Sequence, residues 1–225
     1  MSHLDIELQQ LKTETIKMWT LVNLQLSKAK EALLKLDKDL AREVILGERR
    51  VNAWELKIDR DCENIFALFN PVAVDLRFVL AVLKINNNLE RTGDIAESIA
   101  KFVLNVNTDF DKKLLEITRT VEMYDGALFM MEEVLEAFDK LDTALARKAF
   151  QQDEILDDIN VKVNAVIADY IRNHPENIEP PLYLISVIRK LERVGDQAKN
   201  MAEEIIFYIE AKVLKHRSKA EKKKE

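Results

Sequence analysis

The sequence predicts an all-α fold: a tandem repeat of two three-helix bundles, six long helices related by pseudo-twofold symmetry. Three observations predict it. The 225-residue chain contains only four glycines and four prolines, whereas a β-rich fold of that length needs turn residues about every ten positions. Apolar residues recur at three- and four-residue intervals over long stretches, the pattern of amphipathic helices. One short motif is also written twice. Leu89-Glu90-Arg91-Thr92-Gly93-Asp94 returns as Leu191-Glu192-Arg193-Val194-Gly195-Asp196, five of six residues identical at an offset of 102.

The first helix is expected from Leu4 to about Leu36, with Leu8, Leu11, Thr15, Met18, Val22, Gln25 and Ala29 on its buried stripe. Asp37 reads as the turn and cap residue. The second helix runs from Lys38 to Phe69, carrying Val44, Val51, Trp54, Ile58, Cys62, Ile65 and Leu68 on one side. Asn70-Pro71 marks the next break, asparagine as the N-cap and proline at the first helical position. A third helix, Val72 to Asn105, holds the first motif near its middle. The boundary between halves is expected at Asn105-Val106-Asn107-Thr108-Asp109, giving a first repeat of 1–106, a second of 107–213 and a basic tail of 214–225. The fourth helix is predicted from Phe110 to Asp139 and the fifth from Leu141 to Asn173. His174 to Pro181 breaks the chain, and the sixth helix, starting near Leu182, contains the second motif. Pro71 and Pro175 correspond at an offset of 104, so each half has a proline junction before its motif helix. Long antiparallel helices with short connections pack as bundles. Whether the two bundles lie end to end or side by side is open.

Each motif sets two carboxylates one helical turn apart, which destabilises an isolated helix by roughly 0.2–0.5 kcal/mol. Each also places a glycine in a helix, about 0.8–1 kcal/mol worse than alanine. Two copies of both faults ask for a cation beside the acids and a close neighbour beside the glycine. On the preceding helix the second half offers Asp153 and Asp157. At an offset of 105 the first half offers Glu48 and Asn52. Antiparallel packing would bring Glu48 and Asn52 toward Glu90 and Asp94, and Asp153 and Asp157 toward Glu192 and Asp196. Oxygen-bearing side chains converging from two helices suit iron, manganese, magnesium or calcium, and zinc less selectively. Ion pairing of Glu90 and Glu192 with arginines across a helix interface is the competing reading. Glu55 and Asp59 read as a solvated face.

Composition narrows the function. A net charge of −6 and a pI near 5.3 give no electrostatic case for nucleic acid. The single cysteine, Cys62, excludes an intramolecular disulfide and fits a reducing cytoplasm. Its place on an apolar stripe reads as packing. No stretch reaches 18 uncharged apolar residues, and no signal peptide is evident. Catalysis is not expected: His3, His174 and His216 are the only histidines, and none completes the Glu-x-x-His pattern of di-iron bundles.

The paired Leu-Glu-Arg-x-Gly-Asp motifs resemble the PhoU family of bacterial phosphate-uptake regulators. So do Pro71-Val72-Ala73-Val74-Asp75-Leu76-Arg77, Arg189-Lys190-Leu191-Glu192 and Asp196-Gln197-Ala198-Lys199-Asn200 with Phe207-Tyr208. The resemblance covers residues 5 to 213 and implies the same fold of two three-helix bundles. It further implies multinuclear metal clusters, of iron or zinc, on Glu48, Asn52, Glu90 and Asp94 in one half and Asp153, Asp157, Glu192 and Asp196 in the other. Asn52 lacks the charge of the family's acid, so the first site is expected to bind more weakly or to hold fewer ions.

The implied role is a non-enzymatic negative regulator of high-affinity phosphate uptake and phosphate-starvation signalling. Its implied partners are the ATPase subunit of the phosphate ABC transporter and a membrane histidine kinase. A cytoplasmic protein, peripheral to the inner face of the membrane, is expected. The long amphipathic helices leave apolar surface for a homodimer, and the basic tail reads as a solubilising end. The alternatives are a carboxylate-bridged metal enzyme and a metal-free helical scaffold or dimerisation protein.

Overall fold

The computed structural model describes residues 2–106 and 110–214. Asn107, Thr108 and Asp109 of the expected boundary, His216, and residues 215–225 of the basic tail lie outside the described residues. The described residues form seven helices: α1 His3–Lys35, α2 Lys38–Phe69, α3 Ala73–Asn105, α4 Lys112–Ile117, α5 Thr120–Lys140, α6 Thr143–Asn173 and α7 Glu179–Glu210.

Helix ends follow local chemistry. Ser2 and Asp5 close a reciprocal capping box at the start of α1. At its end Leu36 takes a left-handed conformation (φ 48°), and Asp37 accepts hydrogen bonds from the Asp39 and Leu40 amides to start α2. The second half repeats this turn. Leu141 is left-handed (φ 56°), and Asp142 accepts from the Leu145 amide. Lys35-Leu36-Asp37 and Lys140-Leu141-Asp142 are thus one turn used twice.

Three expected boundaries move. Asn70 is the left-handed C-cap of α2 (φ 46°), not the N-cap of α3, and Val72 precedes α3 without a side-chain cap. Asparagine tolerates that backbone region. Pro180 and Pro181 sit inside the first turn of α7 rather than before it, where backbone N–H groups have no intrahelical acceptor and proline loses nothing. The expected fourth helix is broken into α4 and α5. Thr118 and Thr120 are buried, their hydroxyls 2.7 Å apart, and Thr118 Oγ1 donates to the Leu114 carbonyl. Between them Arg119 is left-handed (φ 52°), its guanidinium held by Glu122 and Asp158. Threonine hydroxyls that satisfy backbone carbonyls compete with helix continuation.

The halves lie side by side. The first half packs α1, α2 and α3 together, and the second packs α5, α6 and α7. The two motif helices, α3 and α7, form the seam between them, with α1 against α5 beside it. Lys84 Nζ donates to Glu204 at 2.8 Å, Asn88 faces Asn200 at 3.5 Å, and Phe78 meets Tyr208. As the α3 number rises the α7 number falls, so the helices run antiparallel. Lys84 lies over the Phe207 ring and Lys190 over Phe102, one cation from each helix on a ring of the other.

An aromatic series ties all four seam helices. Trp19 of α1 packs on Phe138 of α5, Phe138 on Phe78 of α3, and Phe78 on Tyr208 of α7, with centroids 5.1–6.3 Å apart. Trp19 is fully buried, and its indole donates to the Met131 carbonyl of α5 at 3.1 Å. Trp19→Ala should therefore cost about 3–5 kcal/mol and loosen the seam as well as one core. Urea denaturation followed by circular dichroism measures it; a loss below about 1 kcal/mol would separate the seam from global stability.

Candidate metal centre

In the first half the site is built where α2 crosses α3. Glu48, Asn52, Glu55 and Asp59 fall at spacings of four, three and four, one stripe of α2. Glu48 lies on Gly93. A Cβ there would stand 2.9 Å from Glu48 Oε2 and 3.0 Å from Val51 Cγ1, so both side chains pack directly on the glycine and would have to shift to admit a methyl. Glu48 is only 6% exposed, and its Oε1 has no hydrogen-bond partner. Burial raises its carboxyl to about 8, with Asp94, Glu97 and Glu90 pushing the same way and Lys101 opposing. Glu90 is raised by burial and then by Asp94 and Glu55. Glu55 is raised by burial and then by Asp59 and Asp94.

Two differences from the sequence reading follow. Glu55 and Asp59 are half-buried, not a solvated face. The buried Asn86 amide donates to Asp59 Oδ1 at 2.8 Å and to the Glu55 carbonyl at 2.9 Å, fixing this turn of α2 to α3. Glu97, one turn below the motif, also belongs to the acid field, whereas Asn52 is exposed on the stripe. The signal for Glu97 was its spacing, seven residues after Glu90 and therefore on the same face.

The second half has the same frame with different contents. Gly195 receives Leu156, whose Cδ2 would lie 2.8 Å from a Cβ, while Asp153 Oδ1 stands back at 3.6 Å. Leu156 also fills the space over Gly126 of α5. At the offset of 105, Glu48 corresponds to Asp153 and Val51 to Leu156. One methylene has moved from the acid to the aliphatic neighbour, so the volume over the glycine is kept while the carboxylate retracts. Asp153 is nevertheless almost completely buried. Burial raises Glu192, and Asp196, Asp157 and Asp153 add to it, with Lys199 opposing.

Lys199 is part of the stretch that carries the family resemblance, but the spacing of the acids gives it no role at the site. Its Nζ donates to Asp153 Oδ2 at 2.9 Å and to Asp196 Oδ1 at 2.7 Å, joining α6 to α7. Burial, the largest single influence, works against its charge, but the two hydrogen bonds and the charges of Asp153 and Asp196 together raise its pKa. Cys62, by contrast, is buried with its thiol pushed up to about 12, which leaves it a packing group.

The structure thus brings Glu48 to Glu90 and Asp94, and Asp153 and Asp157 to Glu192 and Asp196. Among the described residues, no three histidine, cysteine, aspartate or glutamate side chains stand close enough together to hold an ion as they are. The donor chemistry of the first half fits a hard cation, because a buried carboxylate oxygen without a partner needs a proton or a positive charge. The second half already contains a positive charge.

The burial of Glu48 sets a pH dependence. An unfolded glutamate ionises near 4.5, and folded Glu48 near 8. Between those values the folded chain binds the extra proton, so the contribution is fully present below about 4.5 and is lost as pH rises through about 8. Metal-free protein should lose stability across that window, and Glu48→Gln should flatten the slope. Urea midpoints from pH 5 to 9 measure it; parallel profiles for the two proteins would refute the assignment.

This repeated frame of long helices matches known proteins. The family model described as the PhoU domain matches twice, at residues 15–103 and 120–205. The phosphate-specific transport system accessory protein PhoU homolog of Aquifex aeolicus is 35% identical, over 96% of this chain and 97% of its own length. The crystal structure of PhoU from Pseudomonas aeruginosa superposes with a TM-score of 0.85 at 28% identity, covering 93% of this chain and 100% of that one. The phosphate transport system regulatory protein PhoU from Streptococcus pneumoniae gives 0.84 at 27% identity, covering 94% and 99%. Two copies of the domain in one chain, the same helices in the same arrangement and this coverage together place the protein in the PhoU family.

Proposed function

We propose that this chain is a metal-binding, non-enzymatic negative regulator of high-affinity phosphate uptake and phosphate-starvation signalling. Family membership carries the regulatory part. The Aquifex relative is an accessory protein of a phosphate-specific transport system, and the Streptococcus neighbour is a regulatory protein of one. Its partners in this reading are the transporter's ATPase subunit and a membrane histidine kinase, engaged from the cytoplasm. No helix among the described residues is long and apolar enough to cross a membrane, which suits a partner that docks peripherally.

The single observation that carries the metal part is Glu48, buried on Gly93 with Oε1 unpartnered and acids from both helices around it. Glu48, Glu90, Asp94 and Glu97 would hold an iron or zinc ion, with the Asn52 amide oxygen as a neutral donor. Lys101 pairs with Glu97 on its own helix, and a bound ion would supply a positive charge to Glu48, Glu90 and Asp94, which come from both helices. The α2–α3 face would then present one fixed surface to a partner.

Two measurements test the reading. Elemental analysis after loading with iron(II) or zinc should show that Glu90→Ala with Asp94→Ala lowers bound metal at least tenfold with an intact helical spectrum. Unchanged metal would remove this site. Deleting the gene should switch on a phosphate-starvation reporter in high phosphate; a reporter that stays repressed would overturn the regulatory role.

A further inference from the structure

We infer that Lys199 is the resident cation of the second acid cluster, so that metal ions load the first half of the molecule and not the second. The inference extends the metal reading above by assigning the two halves different occupants. It starts from the register of the repeat. Three residues after the motif aspartate the first half has Glu97 and the second has Lys199, and one turn further Lys101 faces Glu203 in the alignment. Both charges are reversed between the copies.

Geometry turns that reversal into an occupancy difference. Lys199, with its side chain only 17% exposed, reaches one carboxylate from each helix, Asp153 of α6 and Asp196 of α7. An ion bridging those helices would have to lie where the ammonium now sits. A divalent cation entering there meets a positive charge already hydrogen-bonded to two of its ligands. Releasing the lysine breaks both bonds and leaves its charge beside the metal.

The first half has no such group. Lys101 pairs with Glu97 on its own helix, and among the described residues no lysine or arginine forms an ion pair with Glu48, as Lys199 does with Asp153. The glycine contacts agree with this division. Over Gly93 the acid itself is pressed between the helices, while over Gly195 the space belongs to Leu156 and the shorter Asp153 is drawn to Lys199. Counted over the four positions that the repeat aligns, carboxylates favour the second half, because Asn52 stands where Asp157 is an acid. The lysine reverses that order.

The test uses manganese(II) on the full chain, with bound metal measured by equilibrium dialysis and elemental analysis, and folding followed by circular dichroism. Glu90→Ala with Asp94→Ala should empty the protein, and Glu192→Ala with Asp196→Ala should leave its metal content unchanged. Lys199→Gln should about double the bound metal and make the thermal midpoint rise on adding manganese. Metal that persists at half its level in the first double variant, or falls by half in the second, overturns the inference, as does a folded Lys199→Gln that gains none. Glu97→Lys places the lysine in the first half at the same register and decides the matter should Lys199→Gln not fold. It should weaken first-half binding at least tenfold beyond Glu97→Gln, and equal affinities in the two variants overturn the inference. A wild-type protein that binds no manganese removes the metal reading above, whereas metal gained by Lys199→Gln alone would still establish the lysine's role.

Discussion

Much of this molecule depends on the approach of two helices at a glycine, made once in each half. Gly93 and Gly195 give up helix propensity, and side chains of the acid-bearing helix pack in the space a methyl group would take. That approach takes Glu48 and Asp153 out of water. A buried carboxylate is costly unless a proton, a hydrogen-bond donor or a cation accompanies it. The contact that closes each bundle therefore also creates an electrostatic demand.

The two halves meet that demand differently with nearly the same parts. Over Gly93 a glutamate and a valine share the space; over Gly195 an aspartate and a leucine do, the total number of carbons unchanged. The longer acid reaches the glycine. The shorter acid turns to an ammonium from the opposing helix. Packing density is conserved, as it must be in an interior that fills its volume, and charge is free to diverge within it.

Around these crossings the seam holds the halves as one body. The motif helices are buried on several faces because each packs against its own bundle and against the other motif helix. The antiparallel pairing of α3 with α7 gives the pseudo-symmetry physical form, with a lysine from each helix lying on a ring of the other. The aromatic series from Trp19 to Tyr208 crosses the boundary that the repeat suggests. A change at either acid cluster thus sits on a helix that both halves share.

The sequence by itself determined the class of fold, the repeat, and which helices carry the acids. Apolar periodicity and residue spacing are one-dimensional properties that a helix maps onto its faces without help from the rest of the chain. Charge count alone ranked the two clusters, and it ranked them without Lys199, because a lysine three residues beyond an aspartate reads as a local ion pair. The tertiary structure decided that Lys199 also reaches Asp153 on another helix, that Glu55, Asp59 and Glu97 join the first cluster, and that the bundles lie side by side. It also decided the break at Thr118 and Thr120, where burial lets two hydroxyls bond each other and a carbonyl instead of continuing the helix. Each of these depends on which surfaces exclude water together, a property of packed helices that no single helix contains.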